Sequence, residues 1–74
     1  MNKEERIIHM RYDYKKIIFT LREKLVISQM ELADILGVSF ASVNRWERGH
    51  HEPTIKAKRK ILNLCKENGI SLED

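Results

Sequence analysis

The sequence predicts a small all-α domain. Three observations carry this: aspartate, serine and threonine at the starts of apolar-periodic segments, glycine where those segments stop, and a single proline in 74 residues. With 42% hydrophobic and 34% charged residues, the chain has the composition of a soluble, largely helical domain and not of a disordered tail. Its core must be modest, because chains this short bury a lower fraction of their surface.

Residues 1–12 are rich in charge and lack a cap, so they read as a flexible or partly helical N-terminal arm ahead of a domain over residues 13–74. His9 lies in that arm without a ligand partner nearby. Asp13 is placed to cap a first helix in which Tyr14, Ile17, Ile18, Leu21 and Leu25 recur at the spacing of one face. Arg22 falls on its polar side near the C-terminal end, where a cation suits the helix dipole. Leu25 to Ile27 link to the next segment.

Ser28 and Glu31 have the spacing of a capping box, in which the serine oxygen takes the amide of residue 31 and the glutamate returns to the amide of residue 28. The helix they open carries Leu32, Ala33 and Leu36 on its apolar side and meets Gly37, which accepts a left-handed backbone. Val38 can plug the corner. Ser39 then caps another short helix, with Val43 and Trp46 three apart on the core side. Phe40, Ala41, Asn44, Arg45 and Arg48 are left pointing outward, and 41, 44, 45, 48 is an i, i+3, i+4, i+7 face.

Gly49 to Pro53 is a loop, since Gly49 ends the preceding helix and Pro53 disfavours helix in the residue before it. Thr54 caps a last helix that runs to about Asn68 and is closed by Gly69, with Ile55, Ile61, Leu62, Leu64 and Cys65 expected on its buried side. Ile70 to Leu72 form a short apolar tail that either closes the core or meets another subunit.

Two short helices joined by a glycine turn, with Gln29 opening the first, Leu32-Ala33 inside it, Leu36-Gly37-Val38 at the corner and Val43 and Arg45-Trp46-Glu47-Arg48-Gly49 in and after the second, resemble the helix-turn-helix of the phage-repressor (Cro/CI, Xre) family of DNA-binding proteins. The resemblance covers roughly Tyr14 to Pro53. It implies a four- or five-helix lambda-repressor-like domain. Lys56, Lys58, Arg59 and Lys60 crowd where that family would supply apolar positions, so two short helices are expected to have become one longer basic one. The resemblance also implies a pairing of Arg22 with Glu47 that latches scaffold to reading helix.

The net charge is +3, yet Ser39 to Lys66 alone holds seven basic residues and two acids, a local +5. A polyanion docking on that side fits this polarity. The single cysteine, Cys65, excludes an internal disulfide and a multi-cysteine zinc site, and its apolar neighbours without a basic activator point to core packing. No run of about 20 apolar residues spans a membrane and no leader pattern is evident, so a cytoplasmic protein is expected. His50 and His51 are adjacent and therefore poorly placed to converge on one metal ion; loop exposure or contact with phosphate suits them better. Neither a metal nor a cofactor is expected.

In the major groove, Arg45 can match guanine O6 and N7, and Asn44 can bond adenine or a phosphate. Phe40 and Ala41 stand at the two positions that the family uses for base contact, and having no polar side-chain group they can read only thymine methyl groups. Gln29 is expected to clamp a phosphate at a helix N-terminus, as the family implies, with Ser39, Ser42, Arg48, Lys56 and Lys58 as further phosphate contacts. The expected function is a sequence-specific double-stranded DNA-binding transcriptional regulator, a repressor, acting as a homodimer on DNA. The alternative is a protein-binding adaptor or antitoxin-like partner with the same fold, motivated by the apolar Phe40 and Ala41. An enzyme is not expected, because no nucleophile and base are arranged for catalysis and so small a core leaves little room for a substrate.

Overall fold

The computed structural model describes residues 12–72, so the arm expected over residues 1–12, His9 included, lies outside the described residues apart from Tyr12. The described residues hold four helices and no strand: α1 (Tyr14–Leu25), α2 (Gln29–Leu36), α3 (Phe40–Glu47) and α4 (Ile55–Glu67). The basic segment after the loop is one helix of 13 residues, which brings the count among the described residues to four.

Each start is set by a side-chain cap. The carboxylate of Asp13 accepts the amide of Lys16 at 3.2 Å, and the Ser28 hydroxyl accepts the Glu31 amide at 3.1 Å while Glu31 accepts the Ser28 amide at 3.0 Å. Ser39 and Thr54 accept the amides of Ser42 and Ala57 at 3.1 and 3.3 Å. Such caps satisfy amides that have no partner within the helix. Because hydrogen bonds from the Ser28 amide and, secondarily, the Ser28 hydroxyl favour its ionised form, the Glu31 carboxyl lies below its ordinary pKa.

The stops differ. Gly37 turns α2 into α3 with φ 67°, and the Lys60 amine donates to the Leu36 carbonyl at 3.0 Å, placing a cation on the carbonyl end of α2. α1 ends on Val26, a β-branched residue in the left-handed region at φ 54° whose amide bonds back to the Arg22 carbonyl. That conformation costs an L-residue of this type about 1–2 kcal/mol, and the side chain gains no packing in return, being 85% exposed.

Tyr14, Ile18 and Leu21 of α1, Leu32, Ala33 and Leu36 of α2, Val43 and Trp46 of α3, and Ala57, Ile61, Leu62 and Cys65 of α4 make one core. Ile17, Leu25, Val38, Leu64, Ile70 and Leu72 pack at its edge. Ile55 departs from expectation: it is 57% exposed, and Pro53 and Ala57 are buried in its neighbourhood instead. The buried stripe of α4 runs through 57, 61 and 65, and a residue two before Ala57 is turned about 200° away from it around the helix. Lys58 is also drawn inward, its amine 3.2 Å from Glu52 and 5.2 Å from the centre of the Tyr14 ring. Burial, with Glu52 adding to it, pushes the Tyr14 phenol up to about 12, and its hydroxyl has no hydrogen-bond partner among the described residues. Burial likewise pushes the Cys65 thiol up to about 11, which keeps it protonated and inert.

Candidate nucleic-acid interface

α3 is a two-turn helix, and its two sides are sharply sorted. Val43 and Trp46 are buried, and so is Glu47, whose side chain is only 4% exposed. Phe40, Ala41, Arg45 and Arg48 are exposed and Asn44 is half-buried between them. The cause is the helical repeat: 43, 46 and 47 share the face that meets α1 and α2, and 41, 44, 45 and 48 share the opposite one.

A buried carboxylate needs compensation, and Glu47 receives three hydrogen bonds. Arg22 of α1 donates from Nη1 to Oε1 at 2.8 Å and to Oε2 at 3.0 Å. Gln29 of α2 donates from Nε2 to Oε1 at 3.0 Å. Arg22 is therefore at the seam between α1 and α3, half-buried, and not on the open polar side of its helix. Its Nε also donates to the Ile27 carbonyl at 3.3 Å, which ties in the link between α1 and α2. Gln29 in turn accepts from Asn44 Nδ2 at 3.4 Å. Arg22, Glu47, Gln29 and Asn44 thus form a polar chain through α1, α3 and α2, and the orientation of α3 is fixed from both neighbours.

The other polar groups near α3 are unequally engaged. Ser39 and Ser42 hydroxyls bond each other at 3.0 Å. Arg48 is exposed at the end of α3. Lys56 is exposed on the first turn of α4, whereas Lys58 is held by Glu52 and Tyr14. His50 and His51 are exposed in the loop, with the His50 amide bonded to the Arg45 carbonyl at 3.2 Å. Among the described residues no group of three or more His, Cys, Asp or Glu side chains is placed to hold a metal ion, and no helix is long and apolar enough to cross a membrane.

Sequence reasoning missed the engagement of Gln29 with Glu47 and Asn44. The partners are 18 and 15 residues away, and no local pattern marks such a contact. A glutamine that begins a helix beside a buried glutamate 18 residues later becomes legible only once the helices are packed.

A family model described as helix-turn-helix matches residues 18–68, a span that takes in most of α1, all of α2 and α3, and all of α4. The chain belongs to the Cro/CI-type, Xre-like helix-turn-helix family. No curated protein and no solved structure matches the chain. The family is one of DNA-binding regulatory domains, not typically enzymatic, so in this helix-turn-helix domain α2 and α3 are the motif helices and the exposed side of α3 is the candidate reading face.

Proposed function

We propose that this chain is a sequence-specific double-stranded DNA-binding transcriptional regulator that lays α3 into the major groove and represses by occupying its operator. The observation that carries the proposal is the sorting of α3: Arg45 and Arg48 are exposed while Val43, Trp46 and Glu47 are buried, so the helix presents a basic polar edge from a rigid mount. The major groove admits a helix and shows a distinct donor and acceptor pattern for each base pair.

Arg45 reads guanine through its planar fork, and Asn44, steadied by Gln29, supplements it. Phosphates are held by Arg48 and Lys56, by the one hydroxyl proton that the Ser39–Ser42 pair at the start of α3 leaves unused, and by the first amides of α2 beside Gln29. The Gln29 side chain spends one N–H on Glu47 and keeps the other for a phosphate oxygen. Lys58 contributes least, because its amine is already paired with Glu52. An eight-residue helix is about 12 Å long and spans only a few base pairs. Useful specificity therefore calls for a homodimer on DNA, with reading helices about 34 Å apart on a two-fold site. A DNA-bound regulator of this kind works in the cytoplasm, and neither a cofactor nor a metal enters the proposal.

The test is selection of bound duplexes from a random pool, followed by anisotropy titration of the winner at several salt concentrations. A palindromic winner is expected, with log Kd linear in log salt, and Arg45→Ala should relax preference at one base position by about 1–3 kcal/mol. Phe40 at 44% exposure beside the exposed Ala41 favours a second reading, a protein-binding adaptor. That reading predicts no salt-sensitive retention of any duplex at low salt, an outcome that would remove the regulator proposal.

A further inference from the structure

The start of α3 is poorer in free hydrogen-bonding groups than its sequence implies. Ser39 and Ser42 direct their hydroxyls at each other, 3.0 Å apart, and the Ser39 oxygen also takes the Ser42 amide at 3.1 Å. Asn44 commits an N–H to Gln29 at 3.4 Å. What the first turn offers outward is Phe40, 44% exposed, and the Ala41 methyl, with the guanidinium of Arg45 one turn further on. An apolar patch thus abuts a single cationic fork on a face where the surrounding segment, Ser39 to Lys66, carries a local charge of +5. That charge argues for a polyanion as the occupant of the patch and against an apolar protein surface.

On the major-groove edge of a base pair the one bulky apolar group is the methyl on C5 of a pyrimidine, where unmethylated cytosine has only a hydrogen. We propose that Phe40 and Ala41 form a methyl-reading patch, so that the chain selects duplexes with a C5-methylated pyrimidine close to the guanine read by Arg45. The proposal rests on the DNA-reading function above and names the class of site it takes. Ala41 and Arg45 are four residues apart, about 6 Å along the helix. With base pairs stacked about 3.4 Å apart, methyl and guanine lie within roughly two steps of each other. The methyl has two sources, thymine and 5-methylcytosine, and both present it in the same place.

The experiment changes the DNA first, which leaves protein folding untouched. In the duplex selected by the wild-type protein, each thymine is replaced in turn by uracil, which deletes the methyl and keeps the hydrogen-bonding edge. Burying one methyl is worth about a fourfold change in Kd. A loss of about that size is expected at one or two positions in each half-site, and it should shrink in Phe40→Ala measured on the same duplexes. Replacing a cytosine at the same position by 5-methylcytosine should bring a gain of similar size. A uracil loss without that gain would confine the patch to thymine, still through its methyl. Uracil duplexes bound within twofold of thymine at every position, or a uracil penalty unchanged by Phe40→Ala, overturn the methyl patch. Those results leave the regulator proposal intact if Arg45→Ala still relaxes preference, whereas failure of the wild-type protein to retain any duplex removes both.

Discussion

Arg22 holds Glu47 through a single nitrogen: Nη1 lies 2.8 Å from Oε1 and 3.0 Å from Oε2, and Nε is turned instead toward the Ile27 carbonyl at 3.3 Å. One guanidinium therefore serves two connections, to the reading helix and to the link that leads into α2. The carboxylate is almost wholly buried and the arginine is 26% exposed. Removing the cation would leave a buried charge with only Gln29 as partner, and that residue alone cannot neutralise it.

Arg22→Met should therefore lower stability by about 3 kcal/mol in urea unfolding. Glu47→Gln should cost less, since a neutral amide oxygen still accepts from Arg22. The pair Arg22→Met with Glu47→Leu should recover part of the loss, because no stranded charge remains. Simple additivity of Arg22→Met and Glu47→Leu, each also measured alone, would mean that the contact contributes nothing of its own.

Val26→Gly should raise stability by about 0.5–1 kcal/mol. Relief of the left-handed strain is worth about 1–2 kcal/mol, and the added freedom of glycine in the unfolded chain takes back part of it. The side chain gives up no packing, being 85% exposed. A fall in melting temperature would show that the added freedom of glycine in the unfolded chain outweighs the strain relieved.

Glu31 supplies a pH dependence whose sign follows from its lowered pKa. Its ordinary value is 4.5, and the bonds from Ser28 hold it lower in the folded protein. A depressed carboxyl contributes stability that is present above 4.5 and is lost as pH falls through the folded value. Glu31→Gln preserves the capping box in neutral form, so thermal unfolding between pH 5 and 3 should depend less on acid in this variant than in the parent. Equal acid sensitivity in both would place the effect on other carboxylates.

Lys56 and Lys58 are two residues apart and should separate cleanly. Lys56→Ala should reduce the salt slope of duplex binding by about 1 and leave stability unchanged. Lys58→Ala should change the slope less and lower stability by about 1 kcal/mol, since its amine lies over the Tyr14 ring and against Glu52. Equal slopes for the two variants would mean that Lys58 leaves Glu52 when DNA arrives.

The legibility of these features in the sequence tracks the range of the contacts behind them. Ser28 and Glu31, Ser39, Thr54 and Gly37 act on amides and dihedrals within three or four residues, so helix starts and the central corner could be read directly. Sorting of Val43 and Trp46 inward followed from helical spacing alone. Hydropathy places Ile55 in the core, but the phase of α4 is set by Ile61 and Cys65 further along, and the small Ala57 takes the buried place. The end of α1 at Val26 carried no glycine signal, because packing imposes a conformation there that the residue itself disfavours. The ties from Gln29 to Glu47 and Asn44, and from Lys60 to the Leu36 carbonyl, join residues 15 to 24 apart and depend on how the helices dock.

Both motif helices are eight residues long, well short of the roughly 12–15 at which an isolated helix begins to hold in water. A synthetic fragment from Ser28 to Gly49 would accordingly be a coil, and transplanting the motif into another protein would carry over letters without shape. Changing which sequences the molecule prefers has to be done in place, at Phe40, Ala41 and Arg45, with the supporting helices left as they are.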